Sequence, residues 1–180
     1  IFDPFLKRLN QPNRLILIPF LPHQLGRVSL NLLAEQLDRV ILRSLGAYTN
    51  IDLLGFSMGG LISRLWLQKF GGSIRTNRFI SVGSPHNGTL TAQLIPKWLL
   101  AGVSEMKRGS SLLKDLNNDV STLKEVSCSS FFSRWDLMVF PGSSAVLPVG
   151  NRFVLQVLTH RALITHTSAL DAIKEVLIAE

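Results

Sequence analysis

The sequence predicts an α/β fold in which helices cover both faces of a mostly parallel sheet. Three apolar runs of strand length, at residues 14–19, 51–54 and 78–82, lack the polar alternation of a sheet that faces water. Helical patterns separate these runs along the chain. Strands that alternate with helices favour a parallel sheet that is buried on both faces.

The first three elements are a short helix, a strand and a long helix. Residues 2–9 are typical of a helix with Pro4 in its first turn, and the apolar run 14–19 predicts a strand. Ser29 is suited to cap the long helix that follows. Its apolar positions repeat every 3.6 residues, and Gly46 ends it.

The second half of the chain departs from this regular alternation. Residues 88–126 predict either a lid or acyl-pocket insert, or an ordinary pair of surface-packed helices. Two further strands are expected at 129–133 and 153–158. A last helix follows, for which Ser168 and Asp171 provide a capping signal. No repeat or linker interrupts the chain, so we expect one domain over residues 1–180.

Composition excludes several classes of function. The net charge of +7 comes from scattered basic residues, which argues against nucleic-acid binding but allows peripheral contact with an anionic membrane surface. No cluster of cysteine, histidine or carboxylate residues indicates a metal, and no cofactor is expected. Cys128 is the lone cysteine, so no internal disulfide forms. With no spanning run and no signal-peptide layout, these features indicate a cytoplasmic or membrane-peripheral protein.

The segment Gly55-Phe-Ser-Met-Gly59 carries the strongest chemical signal. It joins a buried strand to an amphipathic helix, which is the context in which a nucleophilic serine is presented on a sharp turn. We expect Gly55 and Gly59 to be required where side chains would collide. Ser57 would then lie at a helix N-terminus, where the N–H of Met58 can stabilise an oxyanion. The alternative is a glycine-rich turn with a passive serine.

A serine nucleophile needs a histidine base and a carboxylate that orients it. Asp136 follows a predicted strand, at the sheet edge where active-site groups collect, whereas the other downstream aspartates fit solvated or capping roles. His160 and His166 both follow the last strand, and His160 is closer to it. His86 also follows a strand directly. We therefore predict Asp136 as the acid and His160 as the base, with His166 and His86 as alternatives to His160.

With these residues in view, the chain resembles the serine esterases and lipases of the α/β-hydrolase superfamily, in particular compact bacterial-type triacylglycerol lipases. The similarity rests on the segment around Ser57 and on Ser84-Pro-His-Asn-Gly-Thr89, Trp135-Asp-Leu-Met-Val-Phe-Pro141, Leu147-Pro-Val-Gly150 and Val157-Leu-Thr-His160. It implies a triad of Ser57, Asp136 and His160. It also implies that His86 lines the site without acting as the base.

The resemblance implies a serine carboxylester hydrolase that cleaves acyl esters or lipids. Phe56, His86 and Trp98 are assigned to substrate binding. Relatives begin with an apolar strand that ends in a His-Gly turn and supplies the second oxyanion donor. That strand is not found here, so we expect a small or N-terminally truncated version of the fold. The alternatives are a non-catalytic binding protein and a thioesterase or acyltransferase that uses the same triad. The sequence does not indicate an oligomeric state.

Overall fold

The computed structural model of the protein describes residues 1–94 and 100–179. Within these residues one four-stranded sheet forms, with the strands in chain order and every neighbouring pair parallel. The strands are β1 (Ile51–Phe56), β2 (Thr76–Val82), β3 (Ser127–Phe132) and β4 (Asn151–Val154). The parallel sheet predicted from the sequence is confirmed.

Helices cover both faces of this sheet, as predicted. They are α1 (Asp3–Leu9), α2 (Leu30–Leu45), α3 (Met58–Lys69), α4 (Ala101–Glu105), α5 (Ser111–Asn118) and α6 (Thr167–Ile178). Short 3₁₀ turns lie at Gln24–Gly26, Gly72–Arg75, Thr91–Leu94, Thr122–Glu125, Gly142–Ala145 and Arg161–Ile164. In the part of the chain that the structure describes, no helix is both long enough and apolar enough to cross a membrane.

The alternating side chains of β2 divide the core into two layers. Phe79 packs with residues of α2, α3 and α5 on one face of the sheet. Ile80 and Val82 pack with α1 and α6 on the other face. All three side chains are fully buried. Because successive strand residues point to opposite faces, a continuous apolar run such as that of β2 serves both layers at once.

The helix cap predicted at Ser29 is present. The Ser29 side chain accepts a hydrogen bond from the N–H of Leu32 at the start of α2, and Ser110 caps α5 in the same way. The capping role predicted for Asp171 is wrong. Its carboxylate binds the Arg8 guanidinium instead and so joins α6 to α1, with an Nη2 to Oδ2 distance of 2.7 Å.

The strand predicted at residues 14–19 is also wrong. This segment belongs to no β-ladder among the described residues, and Leu15 is 80% exposed. A largely apolar groove of about 550 Å³ separates the segment from β1, and α1 and α2 form part of its walls. Strand formation requires a hydrogen-bonded neighbour as well as an apolar, β-branched run. Because the groove lies between this segment and β1, the segment has no strand to pair with.

Candidate active site

Ser57 lies between β1 and α3 in a strained backbone conformation. Its φ of 54° and ψ of −126° are rare for a residue with a side chain and cost about 1–3 kcal/mol. The N–H of Ser57 donates to the carbonyl of Val82 at 2.9 Å, which fixes the turn to the end of β2. Strand–turn–helix motifs that expose a nucleophile use such a backbone arrangement, so the geometry is suited to the predicted role of Ser57, which stays a prediction.

Close packing explains two of the glycines around this turn. A Cβ atom on Gly55 would lie 2.5 Å from Gly60 Cα, and one on Gly60 would lie 1.9 Å from Ser84 Oγ. Apart from its chain neighbours and the backbone of its own helix, no atom lies within 4 Å of the position that a Cβ would take on Gly59. The predicted steric need is therefore confirmed at Gly55 but is wrong for Gly59. Gly60 fills that role instead, because α3 approaches the loop after β2 there.

Asp136 and His160 are brought together across two loops. Asp136 follows β3 and is 1% exposed, and its Oδ2 lies 2.6 Å from His160 Nδ1. The other carboxylate oxygen accepts hydrogen bonds from the N–H groups of Met138 and Val139, at 2.9 and 3.2 Å. These bonds leave Asp136 little freedom to turn, so the carboxylate fixes the orientation of the imidazole.

The His160 ring lies beside the Ser57 turn. Its centroid is 4.8 Å from that of Phe56, and its Cε1 is 3.1 Å from the position that a Cβ would take on Gly83. Phe56 directly precedes Ser57, and Gly83 directly follows the Val82 carbonyl that holds the Ser57 N–H. The imidazole Nε2 is buried and has no hydrogen-bond partner. The hydrogen bond between Ser57 and His160 is thus not formed, and catalytic hydrogen bonds of this kind often tighten only in the complex with substrate.

The backbone N–H of Met58 is available for an oxyanion. Met58 is the first residue of α3, and the first N–H groups of an α-helix have no acceptor within the helix. The helix dipole adds partial positive charge at the same place. This geometry suits the predicted role of Met58 in the oxyanion hole, and that role stays a prediction.

The remaining candidates lie in different environments. His166 precedes α6, is exposed and lies 2.9 Å from Ser168 Oγ, so it takes no part in the Asp136–His160 pair. Trp98 lies outside the described residues. Cys128 is buried, and burial raises the pKa of its thiol to about 12, which argues against a role as nucleophile near neutral pH.

His86 makes internal contacts. Its ring is fully buried, with Nε2 2.6 Å from Ser81 Oγ and the ring edge against Phe79. Its assignment to substrate binding stays a prediction. Burial, with a smaller contribution from the Arg64 charge, lowers its pKa well below the usual 6.5. His86 is therefore neutral in the folded protein.

This depressed pKa should make the folded state sensitive to acid. In the unfolded chain His86 takes up a proton near pH 6.5, and in the folded chain only at much lower pH. Its contribution to stability is therefore complete above pH 6.5 and is lost as the pH falls toward the folded pKa. We expect urea unfolding to show a decline of up to about 1.4 kcal/mol per pH unit from this residue. The decline should be smaller in His86→Gln and unchanged in His23→Gln, which alters an exposed histidine. Equal pH dependence in all three proteins would contradict this expectation.

Sequence reasoning missed Arg64, the most unusual charge near the site. Arg64 lies on α3 and is fully buried, and no carboxylate pairs with it among the described residues. Its guanidinium donates to the carbonyls of His86 and Leu116, at 3.3 and 2.8 Å, and to the side chains of Gln68 and Asn117, both at 2.8 Å. Burial lowers its pKa to about 10, so it stays charged near neutral pH. Arg64 joins the helix that follows Ser57 to the end of α5.

The segment between β2 and β3 also contacts the start of α2. The Leu30 N–H donates to Glu105 of α4 at 2.6 Å. A Cβ on Gly102 would lie 2.5 Å from the Val28 carbonyl, so α4 packs closely on the loop before α2. These contacts place α4 at the end of the sheet where Ser57 lies. The predicted role of residues 88–126 as a lid or acyl-pocket insert stays a prediction.

Comparison with solved structures identifies the fold of the chain. The Bacillus licheniformis lipase BlEst2 matches in its propeptide form with a TM-score of 0.66 and 17% identity, over 86% of this chain and 41% of that one. Its mature form matches with a TM-score of 0.65 and 17% identity, over 83% and 74%. Aspergillus fumigatus lipase B matches with a TM-score of 0.70 and 20% identity, over 83% and 42%. The chain thus spans less than half the length of two of these proteins. The predicted α/β-hydrolase fold is confirmed.

No curated protein matches the chain by sequence. Residues 23–135 match the sequence model of a family described as palmitoyl protein thioesterase. The matched region contains Ser57 and ends one residue before Asp136. Since the match extends over more than half of its residues, the chain belongs to the palmitoyl protein thioesterase family of α/β-hydrolases.

Proposed function

We propose that the protein hydrolyses acyl esters through an acyl-enzyme on Ser57, with His160 as the base and Asp136 as the residue that orients it. One observation carries the proposal. The buried Asp136 holds His160 by Nδ1, and the free Nε2 is buried beside the turn that presents Ser57. An imidazole held by Nδ1 in this way presents Nε2 as its proton acceptor.

Each residue then has one task in the reaction. Ser57 Oγ attacks the acyl carbonyl while His160 Nε2 takes the hydroxyl proton, and Asp136 stabilises the imidazolium that results. The Met58 N–H donates to the oxyanion. The imidazolium returns its proton to the leaving group, which departs and leaves the acyl group on Ser57. Water, deprotonated by the same imidazole, then releases the acid and restores the serine.

A thioester substrate is the second candidate, and the family match favours it. The residues at the site serve either substrate, because oxygen and sulfur esters form the same acyl-enzyme on Ser57. A thiol is also more acidic than an alcohol and leaves more readily as an anion. The two candidates differ only in the group that His160 helps to release.

A fluorophosphonate probe tests the shared chemistry. We expect the protein to be labelled at one site, the Ser57→Ala variant to lose the label and the Ser44→Ala variant, which alters an exposed serine, to keep it. Peptide mass analysis would locate the adduct. An unlabelled wild type would favour the non-catalytic binding protein instead. A label that survives in Ser57→Ala would exclude Ser57 as the nucleophile.

Matched substrates separate the two candidates. One peptide would carry the same acyl chain on cysteine in one version and on serine in the other, and kcat/KM would be measured for both. A clear preference for the S-acyl peptide would identify a thioesterase. A clear preference for the O-acyl peptide would identify a carboxylesterase, and Ser57→Ala should abolish whichever activity is found.

A further inference from the structure

The loops around the proposed active site expose several large apolar side chains. On the loop after β3, Trp135, Leu137 and Met138 are 61%, 74% and 61% exposed. Phe140 on the same loop is 46% exposed, and Leu158, on the loop after β4, is 74% exposed. These two loops also carry Asp136 and His160. Apolar side chains gathered at one place on a surface indicate an interaction site.

The backbone beneath these side chains is held firmly. The Phe140 N–H donates to Thr89 Oγ1 at 3.0 Å, and the Met138 carbonyl accepts from Thr91 Oγ1 at 2.7 Å. The Met138 N–H donates to the buried Asp136. The loop after β3 is thus fixed to the loop after β2 while its apolar side chains face solvent. Their exposure is a property of the fold and does not result from a loosely packed segment.

Basic residues occupy the same end of the molecule. We call this end the rim, defined as residues 20–29, 83–94, 100–110, 133–150 and 155–166. Its exposed basic residues in the described structure are Arg27, Arg108, Arg134 and Arg161. Arg134 and Arg161 lie in the loops that carry Asp136 and His160, so positive charge adjoins the apolar side chains.

The rim presents no exposed acid. Its two acidic residues are Glu105 and Asp136. Asp136 is buried against His160, and Glu105 is half-buried and accepts from the Leu30 N–H. The protein's other acidic residues lie elsewhere in the chain. Among the described residues of the rim, no exposed acid therefore accompanies the four exposed arginines.

We propose that the rim is a docking surface for an anionic lipid bilayer. In the docked state the loops that carry Asp136 and His160 contact the bilayer surface. The apolar side chains enter the headgroup region, and the arginines contact lipid phosphates. A nucleic acid would use the arginines but would leave Leu137 and Leu158 exposed. The combination of apolar side chains with uncompensated positive charge therefore favours a bilayer. The proposal concerns binding, so it does not depend on whether Ser57 is a nucleophile.

Vesicle co-sedimentation tests the proposal. We expect the protein to bind phosphatidylcholine vesicles that contain phosphatidylglycerol, and to bind vesicles of pure phosphatidylcholine much more weakly. Arg134→Gln combined with Arg161→Gln should weaken binding to the anionic vesicles about 30-fold, because each arginine near such a surface contributes about 1 kcal/mol. Leu137→Ser combined with Leu158→Ser should weaken it about tenfold.

Matched controls lie at the opposite end of the sheet. Ile74 is 87% exposed in the turn before β2, and Arg43 is exposed in the last turn of α2. Ile74→Ser and Arg43→Gln should bind anionic vesicles as the wild type does. Equal binding to neutral and anionic vesicles, or equal losses in rim and control variants, would overturn the proposal. So would tight binding to duplex DNA that the leucine substitutions leave unchanged, with no binding to vesicles.

Discussion

Replacing Asp136 by asparagine should lower kcat/KM for acyl ester hydrolysis by about 10⁴-fold. Asp136 Oδ1 already accepts from the N–H groups of Met138 and Val139, so the asparagine oxygen is held there and its NH₂ group faces His160 Nδ1. An NH₂ donor at Nδ1 favours the tautomer that carries its hydrogen on Nε2. That tautomer cannot accept the serine proton, although the site keeps its shape.

The matched control is Asp115→Asn, which removes an exposed carboxylate from α5. This variant should hydrolyse the same ester at the wild-type rate. Fluorophosphonate labelling offers a second measurement, because Asp136→Asn should slow the reaction of Ser57 with the probe while Asp115→Asn should not. If Asp136→Asn keeps full activity and full labelling rate, the assignment of Asp136 as the orienting acid is wrong.

The position of the proposed nucleophile could be predicted because its signals are local. An apolar run of strand length, a glycine-rich turn and a set of apolar residues at helical spacing follow one another within about twenty residues. Asp136 and His160 are distant in the chain, but both follow strands. In a parallel sheet the C-terminal ends of the strands share one edge, so sequence order was enough to expect these two side chains to meet.

The errors arise where tertiary contacts decide the outcome. Residues 14–19 have the composition of a strand, but the groove beside β1 leaves them without a strand to pair with. The Gly55-Phe-Ser-Met-Gly59 motif does not show which of its glycines is tightly packed. Ser84, on the loop after β2, packs against Gly60 and not against Gly59. The spacing of Ser168 and Asp171 suits a capping box, but α6 begins at Thr167, so Asp171 lies one turn inside the helix and binds Arg8 of α1. No local pattern contains these partners.

Arg64 gives no sequence signal at all. Charged residues on helices normally face solvent. The local sequence around Arg64 therefore gives no reason to expect that its guanidinium is fully buried. Its acceptors come from the loop after β2, from α3 itself and from α5. They provide oxygen atoms without a full negative charge. The C-terminal end of α5 adds partial negative charge, which helps to keep the buried cation stable.

Arg64→Ala should lower the free energy of unfolding by about 3–5 kcal/mol. The substitution leaves the His86 and Leu116 carbonyls without this donor and opens a cavity in the core. For a chain of this size the melting temperature should fall by about 6–20 °C. Arg64→Lys should lower the free energy of unfolding by less than Arg64→Ala, because the ammonium keeps the positive charge. It should still be less stable than the wild type, because one ammonium cannot reach the acceptors on both sides. Arg43→Ala, at an exposed position, should stay within about 0.5 kcal/mol of the wild type.

Limited proteolysis would show where the stability is lost. Arg64 binds the Leu116 carbonyl and the Asn117 side chain, so its removal should release α5 before the sheet opens. We expect cleavage within residues 100–118 to become faster in Arg64→Lys and in any Arg64→Ala that folds, with little change near α6. Uniformly faster cleavage, or an unfolding free energy within about 1 kcal/mol of the wild type for Arg64→Ala, would show that Arg64 does not hold this segment. In that case α3 and α5 would be coupled by apolar packing and by Gln68, whose side chain donates to the Leu116 carbonyl at 2.9 Å.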